Sequence, residues 1–172
     1  GTTKSVQQQV LEGISSAQKR LGINKYIAYF QASTNTFADV NELQHLYSQA
    51  VSFPDVVGLA VATRPDCLSE NIIDLLSAFA SRMMVWVELG LQSAHDATLQ
   101  LIRRGHTFSD YQSAVESLSR IPVRICTHLM CGLPNEKGKD VVETAAQIAD
   151  LPIHEVKIHP LLILTETPLA DM

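Results

Sequence analysis

Two polar residues interrupt a stretch that otherwise has the pattern of a buried strand, MMVWVELGLQ from Met83 to Gln92. Because strand side chains alternate between faces, Glu88 and Gln92 share a face with Trp86, while the aliphatic residues occupy the opposite face. Burying a carboxylate or an amide without a hydrogen-bond partner costs several kcal/mol. We therefore expect Glu88 and Gln92 to face a ligand or a fixed polar partner.

Later stretches also place polar side chains on common strand faces. The alternation groups Arg124, Cys126, His128 and Met130 in PVRICTHLMCG, and Lys157 and His159 in HEVKIHPLLIL. Two earlier stretches end in polar segments, QASTN from Gln31 to Asn35 and TRPD from Thr63 to Asp66. Hydrogen-bonding groups at the ends of several strands are typical of an active site rather than of a purely structural sheet.

These residues allow three other interpretations. Glu88 can form a structural ion pair with Arg124 or Lys157. Lys157 can instead form a Schiff base with assistance from Glu88, as in barrel lyases of the aldolase type. Three residues offer zinc ligands, although they lack a spaced zinc motif: Cys126, His128 and His159.

The segment RRGH, from Arg103 to His106, has two explanations. Basic residues followed by glycine are typical of a helix C-terminus, where cations face the negative end of the helix dipole. Arg104 is also suited to a carboxylate ligand, because a planar guanidinium donates two hydrogen bonds. Asp66, after a proline, is in the same way typical of a turn. Four histidines are assigned no role: His45, His95, His106 and His154.

Helical and strand patterns must position these side chains, and they alternate along the chain. Strand patterns recur about every 30 residues, which is typical of repeated βα units and a parallel sheet. They cover Lys25–Phe30, Asp55–Thr63, Met83–Gln92, Pro122–Gly132 and His154–Leu164. Helical patterns begin near Val6, Asp39, Ser69, Ser93, Thr107 and Asp140, and Ser93 with Asp96 and Thr107 with Asp110 have the spacing of helix caps. No G-x-G-x-x-G loop follows a strand, which favours a barrel, or part of one, over a dinucleotide-binding sheet.

Composition limits the class of protein. With 172 residues, 46% hydrophobic and 18% charged, the chain suffices for one sizeable core, so we predict a single domain over residues 1–172. The net charge of −5 provides no basic surface for nucleic acid. No apolar run reaches the roughly 18 residues of a membrane span. Three irregularly spaced cysteines and the lack of a signal-peptide pattern predict reduced thiols and a cytoplasmic location.

Four segments together resemble the radical S-adenosylmethionine (radical SAM) superfamily: KYIAYFQASTNTFA, TRPD, VELGLQSAHDATLQLIRRGHT and HLMCGLPNE. The nearest likeness is to the branch of the Elongator catalytic subunit and the bacterial YhcC-like proteins, and it extends from about Lys25 to Ala170. The resemblance implies an α/β fold, a parallel-stranded partial TIM barrel of the (β/α)6 type. It also implies a [4Fe–4S] cluster that cleaves S-adenosylmethionine to a 5′-deoxyadenosyl radical, which abstracts hydrogen from a substrate.

The resemblance also implies cofactor contacts. Gln31, Ala32 and Ser33 take the place of the family's glycine-rich contact with the methionine amino group. Gln92 and Arg104 match positions that hold the ribose and the methionine carboxylate.

Further contacts are implied on the later strands. His128 lies where relatives place a polar group near the ribose, and the turn from Met130 to Leu133 matches the segment beside the adenine. Ala62 replaces a glutamate of the Elongator-like relatives, so Glu88 is the expected carboxylate near the cofactor.

One family feature is absent from this sequence. The C-x3-C-x2-C motif that binds the cluster does not occur, and Cys126 and Cys131 have the wrong spacing to replace it. We therefore expect the first strand and the cluster loop to precede this chain, which binds no metal and is inactive alone, although its parent is an enzyme. A missing strand also leaves an open sheet edge, which predicts a dimer through Tyr26–Phe30 or a non-catalytic docking module.

Overall fold

The computed structural model describes residues 4–31, 33–167 and 169–170, and helices alternate with strands along that part of the chain. Ala32, for which a cofactor contact is predicted, lies outside the described residues. In chain order the elements are α1 (Val6–Leu21), β1 (Tyr26–Phe30), α2 (Val40–Ala50), β2 (Val56–Thr63), a 3-10 turn (Pro65–Cys67), α3 (Glu70–Ala80), β3 (Met84–Gln92), α4 (Asp96–Leu101), α5 (Phe108–Ser119), β4 (Arg124–Cys131), α6 (Gly138–Ala149) and β5 (Glu155–Pro160).

The strands of the described chain form one sheet in the order β1-β2-β3-β4-β5, and every neighbouring pair is parallel. The predicted parallel α/β fold is therefore confirmed, and the sheet curves into a half-barrel. Because all strands run the same way, their carboxyl ends meet at one edge, where parallel barrels place their functional residues.

The helix-facing side of the sheet carries the core. On β3, the side chains of Val85, Val87, Leu89 and Leu91 are at most 1% exposed. Removing an aliphatic side chain of this size from water stabilises the fold by about 1.5–3 kcal/mol. Helix α3 packs on β3, and α5 packs on β4. The predicted aliphatic face is thus confirmed, and Glu88 points to the opposite, concave side. Within the described residues, no helix is long and apolar enough to cross a membrane.

The local structure confirms one predicted helix cap and corrects two other sequence predictions. Thr107 caps α5 and forms a capping box with Asp110, as predicted. Ser93 does not cap α4: the helix begins at Asp96, and the Ser93 hydroxyl donates to Glu136 at 2.5 Å. The last strand also ends at Pro160 rather than at Leu164.

Candidate functional site

A cavity of about 400 Å³ lies at the carboxyl ends of the strands. Each of the five strands, or the segment that follows it, contributes to the lining, which consists of Tyr29, Gln31, Ser33, Thr34, Ala62, Thr63, Arg64, Glu88, Gly90, Gln92, Arg104, His128, Lys157 and His159. Six of the seven predicted cofactor-binding residues are therefore brought together. The seventh, Met130, lines a separate apolar cavity with Leu101, Leu133 and Leu161.

Glu88 is the centre of a hydrogen-bond network across the cavity floor. Its side chain is 8% exposed. Its Oε2 accepts hydrogen bonds from the Tyr29 hydroxyl and from Nε2 of His128, the latter at 2.8 Å. Its Oε1 accepts from the Lys157 ammonium. Donors from β1, β4 and β5 thus satisfy both oxygens of a carboxylate that would otherwise be costly to bury.

Strand register brings this network together. Cys126 is the neighbour of Glu88 on β4, and His128 lies next to Lys157 on β5. Of the two ion pairs that the sequence allows, Glu88 forms the one with Lys157. Arg124 instead pairs with Glu155 at 3.0 Å.

The charges within the network follow from burial and from these contacts. Burial alone raises the pKa of Glu88, but hydrogen bonds from Lys157 and Tyr29 outweigh it and hold that pKa below its usual value. Burial lowers the pKa of Lys157, but the contact with Glu88 more than offsets this and raises it. Burial lowers the pKa of His128 despite the neighbouring carboxylate. At neutral pH the network thus holds a carboxylate, an ammonium and an uncharged imidazole.

These charges argue against the alternative chemistries. A Schiff-base lysine must lose its proton to attack a carbonyl, whereas Lys157 is held protonated. The proposed zinc ligands are also engaged elsewhere, because Nε2 of His128 bonds to Glu88. Burial raises the pKa of the Cys126 thiol to about 11, which disfavours the thiolate that zinc requires.

Arg104 reaches the cavity from the turn after α4. Positive φ angles at Arg103 and Gly105, 52° and 84°, reverse the chain after the helix. The Arg104 guanidinium then donates from Nη2 to the Gly90 carbonyl at 2.9 Å rather than to the last carbonyls of α4. Helix capping therefore does not explain this side chain. Gly90 leaves room for this contact, because a Cβ at that position would displace the Arg104 guanidinium.

The Nε of Arg104 is buried and has no hydrogen-bond partner within the part of the chain that the structure describes. Leaving a donor of a charged group unsatisfied costs a few kcal/mol, so such a donor is commonly completed by a ligand. Burial also lowers the pKa of Arg104, which indicates that its charge lacks full compensation. An anionic oxygen would supply both the acceptor and the charge.

Arg64 and His106 support the Arg104 side of the cavity. Arg64 forms two hydrogen bonds with Asp66, at 2.9 and 2.5 Å, so Asp66 is an ion-pair partner as well as a turn residue. His106 is 6% exposed, and its Nε2 lies 3.1 Å from the Gly90 carbonyl oxygen. His106 has no role predicted from the sequence, although its place directly after Arg104 and Gly105 was a usable signal.

Backbone strain is present at two of the predicted residues. Ser33 and Gln92 have positive φ angles of 63° and 77°. For a residue other than glycine, this conformation costs on the order of 1 kcal/mol or more and is concentrated at functional sites. At Gln92 it accompanies a register shift between β3 and β4, where Gly90 pairs with His128 and Gln92 with Leu129. Gly90 and Gln92 both line the cavity.

Comparison with known proteins agrees with this geometry. The family model of the radical SAM superfamily matches residues 3–148. The chain belongs to the radical SAM superfamily. Among its relatives, protein YtqA of Bacillus subtilis is 45% identical over 146 residues, which cover 85% of this chain and 45% of YtqA. Protein YhcC of Escherichia coli is 42% identical over 147 residues, which cover 85% of this chain and 48% of YhcC.

A solved structure shows the same fold. The archaeal Elp3 of Methanocaldococcus infernus superposes with a TM-score of 0.82 at 22% identity, over 98% of this chain and 44% of that one. This radical SAM chain is therefore a half-barrel member of the branch that includes YhcC and Elp3. It spans about half the length of the curated relatives it matches.

Proposed function

We propose that the parent protein is a radical SAM enzyme that cleaves S-adenosylmethionine with a [4Fe–4S] cluster, and that this half-barrel holds the S-adenosylmethionine. The observation that carries the proposal is the buried Nε of Arg104, which has no hydrogen-bond partner among the described residues, in a side chain that lines the cavity at the strand ends. When bound, the two cofactors supply one-electron cleavage of a sulfonium carbon–sulfur bond. The residues of this chain bind and orient the cofactor and substrate.

The donors in the cavity suit an amino acid joined to a nucleoside. The Arg104 guanidinium binds the methionine carboxylate, because it offers a planar pair of donors to two oxygens. Gln31 and Ser33 accept from the methionine amino group at the exit of β1. The Gln92 amide binds a ribose hydroxyl, where the strained backbone holds it in the cavity.

The ribose and adenine contacts involve β4. A neutral His128 that donates from Nε2 to Glu88 keeps Nδ1 as an acceptor for a ribose hydroxyl. Glu88 acts through His128 and Lys157, because both its oxygens already accept hydrogen bonds. Met130 contributes to a separate apolar cavity of about 620 Å³, and a flat purine suits such a lining.

The cluster ligands belong to another part of the parent protein under this proposal. The chain has three free cysteines, Cys67, Cys126 and Cys131, and their placement does not match a cluster site. Free thiols also support a reducing, cytoplasmic location.

The test uses the full-length parent protein, reconstituted anaerobically with iron and sulfide and reduced with dithionite. We expect S-adenosylmethionine to be converted to methionine and 5′-deoxyadenosine. Arg104→Lys and Arg104→Ala should each lower the affinity for S-adenosylmethionine by about tenfold or more, since both lose the planar charge-assisted contact. Arg120→Ala is the matched control, because Arg120 is exposed on the C-terminal side of α5 and pairs only with Glu116 among the described residues.

Two results would contradict the proposal. The proposed function would be wrong if the reconstituted wild-type protein neither bound nor cleaved S-adenosylmethionine. Unchanged affinity in both Arg104 variants would leave Arg104 with only its contact to the Gly90 carbonyl.

A further inference from the structure

The charge of the cavity is opposite to that of the chain. The chain carries a net charge of −5, yet three cations line the cavity: Arg64, Arg104 and Lys157. Within the described residues, Glu88 is the one acidic side chain in that lining. Such a cavity attracts anionic groups, and it concentrates them where water is partly excluded.

Two of the three cations already have assigned partners. Arg64 is engaged by both carboxylate oxygens of Asp66. Arg104 is assigned to the carboxylate of S-adenosylmethionine under the proposed function. The third, Lys157, pairs with Glu88.

Lys157 is only partly neutralised by Glu88. The carboxylate divides its hydrogen bonds among Lys157, His128 and Tyr29, whereas the ammonium has three N–H donors of which Glu88 uses one. The Lys157 side chain is 42% exposed, while that of Glu88 is 8% exposed. The accessible partner of this ion pair is thus the cation.

Neighbouring rings fix the position of the ammonium and extend the site. Nζ of Lys157 lies 5.1 Å from the centre of the Tyr29 ring, within the range of a cation–π contact. The His159 ring lies 5.0 Å from that of His128 and lines the same cavity. His159 is two residues from Lys157 on β5 and therefore shares its strand face.

We propose that Lys157 and His159 form a subsite for an anionic oxygen group of the substrate, a carboxylate or a phosphate. This inference rests on the proposed function, because Arg104 is reserved for the cofactor. Under this inference the substrate of the enzyme is an anion, and Lys157 determines the specificity of the enzyme for it. The subsite lies on β5, so the anionic group of the substrate is held by the strand farthest in the sheet from β1.

The test titrates this chain with inorganic phosphate and, separately, with acetate, at constant ionic strength. NMR signals of ¹⁵N-labelled histidine side chains report on His128 and His159. We expect saturable shifts of His159 with at least one anion, and the anion that binds more tightly identifies the class. Lys157→Met should weaken that binding by about tenfold or more, and Lys157→Arg should retain most of it. Lys139→Met is the control, because it removes the same charge from an exposed position on α6 outside the cavity.

Two further variants keep the test decisive if Lys157→Met folds poorly. His159→Ala alters an exposed side chain and should weaken anion binding. Glu88→Gln removes the competing carboxylate and should strengthen it, an effect that a purely structural ion pair would not produce. Non-saturable shifts with both anions, or equal affinity in wild type and Lys157→Met, would overturn the proposal.

Binding of S-adenosylmethionine to the reconstituted wild-type parent separates the two proposals. If the protein binds the cofactor but not the anions, the proposed function stands and the proposed anion subsite is wrong. If anions bind through Lys157 but the cofactor does not bind, the proposed function is wrong and the anion site is supported.

Discussion

At Gly90, a single added methyl group would disturb the site. A methyl group there would meet the Arg104 guanidinium and would lie 3.0 Å from the Gln92 amide nitrogen. Both are flexible side-chain ends, so they can move aside, but only by leaving the cavity. We expect Gly90→Ala to weaken S-adenosylmethionine binding to the reconstituted parent by about tenfold or more, through the lost Arg104 contact, with little loss of stability.

The control for Gly90→Ala is Gly13→Ala on α1, where an added Cβ meets nothing within 4 Å. That change should raise the free energy of unfolding by roughly 0.5–1 kcal/mol, because alanine is the better helix former, and leave binding unchanged. Calorimetric titration and urea unfolding measure both quantities. If Gly90→Ala binds the cofactor like wild type, then Arg104 and Gln92 are not its ligands.

Sequence periodicity predicts some of these residues and not others. Alternation along β3 placed Glu88 and Gln92 on the concave face, and the same rule placed Lys157 with His159. The role of Tyr29 could not be predicted from alternation, because β1 has aromatic residues on both faces. Arg104 reaches Gly90 only through a turn with positive φ angles, and hydrophobic periodicity carries no information about such a turn.

At the scale of elements, the strand order was predictable and the element ends were less so. Alternating βα patterns favour a parallel sheet whose strands lie in sequence order, and that order is observed. The apolar run after Pro160 suggested a longer β5. Its neighbour β4 ends at Cys131, because Gly132 turns the chain at a φ of 88°, so residues beyond Leu161 have no strand to pair with.

The cap predicted at Ser93 is wrong, because the N-cap residue of α4 is His95. The Ser93 hydroxyl accepts from the His95 backbone N–H at 3.0 Å, before the helix begins, and donates to Glu136, 43 residues away. Sequence spacing near Ser93 could not predict a contact with Glu136. Thr107 is the N-cap residue of α5, and its hydroxyl accepts from the Asp110 backbone N–H at 3.2 Å.

Thr107→Ala should therefore lower the free energy of unfolding by about 1 kcal/mol, the usual cost of removing an N-cap hydroxyl. Ser69→Ala is the matched control, because Ser69 is the N-cap residue of α3 but its side chain makes no capping hydrogen bond. Urea unfolding of the two variants distinguishes them. Equal effects in both would mean that the Thr107 hydroxyl contributes nothing specific to α5.

At the scale of the whole molecule, stability should depend on pH through the buried imidazole of His106 and the partly buried imidazole of His128. Burial lowers the pKa of His106 and of His128 below the ordinary value of 6.5. The unfolded chain therefore binds protons before the folded one does, so their contribution is complete above about pH 6.5 and is lost as the pH falls through the folded pKa values. Glu88, whose folded pKa is also lowered, adds a second loss below its ordinary value of 4.5.

Urea midpoints measured from neutral to mildly acidic pH test this dependence. His128→Gln should reduce the decline below about pH 6.5, because the amide still donates to Glu88 but does not titrate. His45→Gln, at an exposed position on α2, should retain the wild-type decline. A wild-type stability that stays constant as the imidazoles titrate would show that neither buried histidine is linked to folding.

The same cysteine placement that guided the proposal predicts how this chain behaves with iron. Cys126 and Cys131 lie five residues apart on β4, so their side chains point to opposite faces of the strand. Cys126 is 1% exposed with a thiol pKa raised by burial to about 11, and Cys67 lies in the turn after β2 with its pKa also raised by burial. Thiolates are the ligands of iron–sulfur clusters, whereas Cys126 and Cys131 point to opposite faces and burial disfavours the thiolates of Cys67 and Cys126. We expect this chain to remain colourless after anaerobic reconstitution, with iron and sulfide near zero by chemical assay, while the parent becomes brown. A brown chain with about four irons would mean that its own cysteines hold the cluster and that the half-barrel alone contains the metal site.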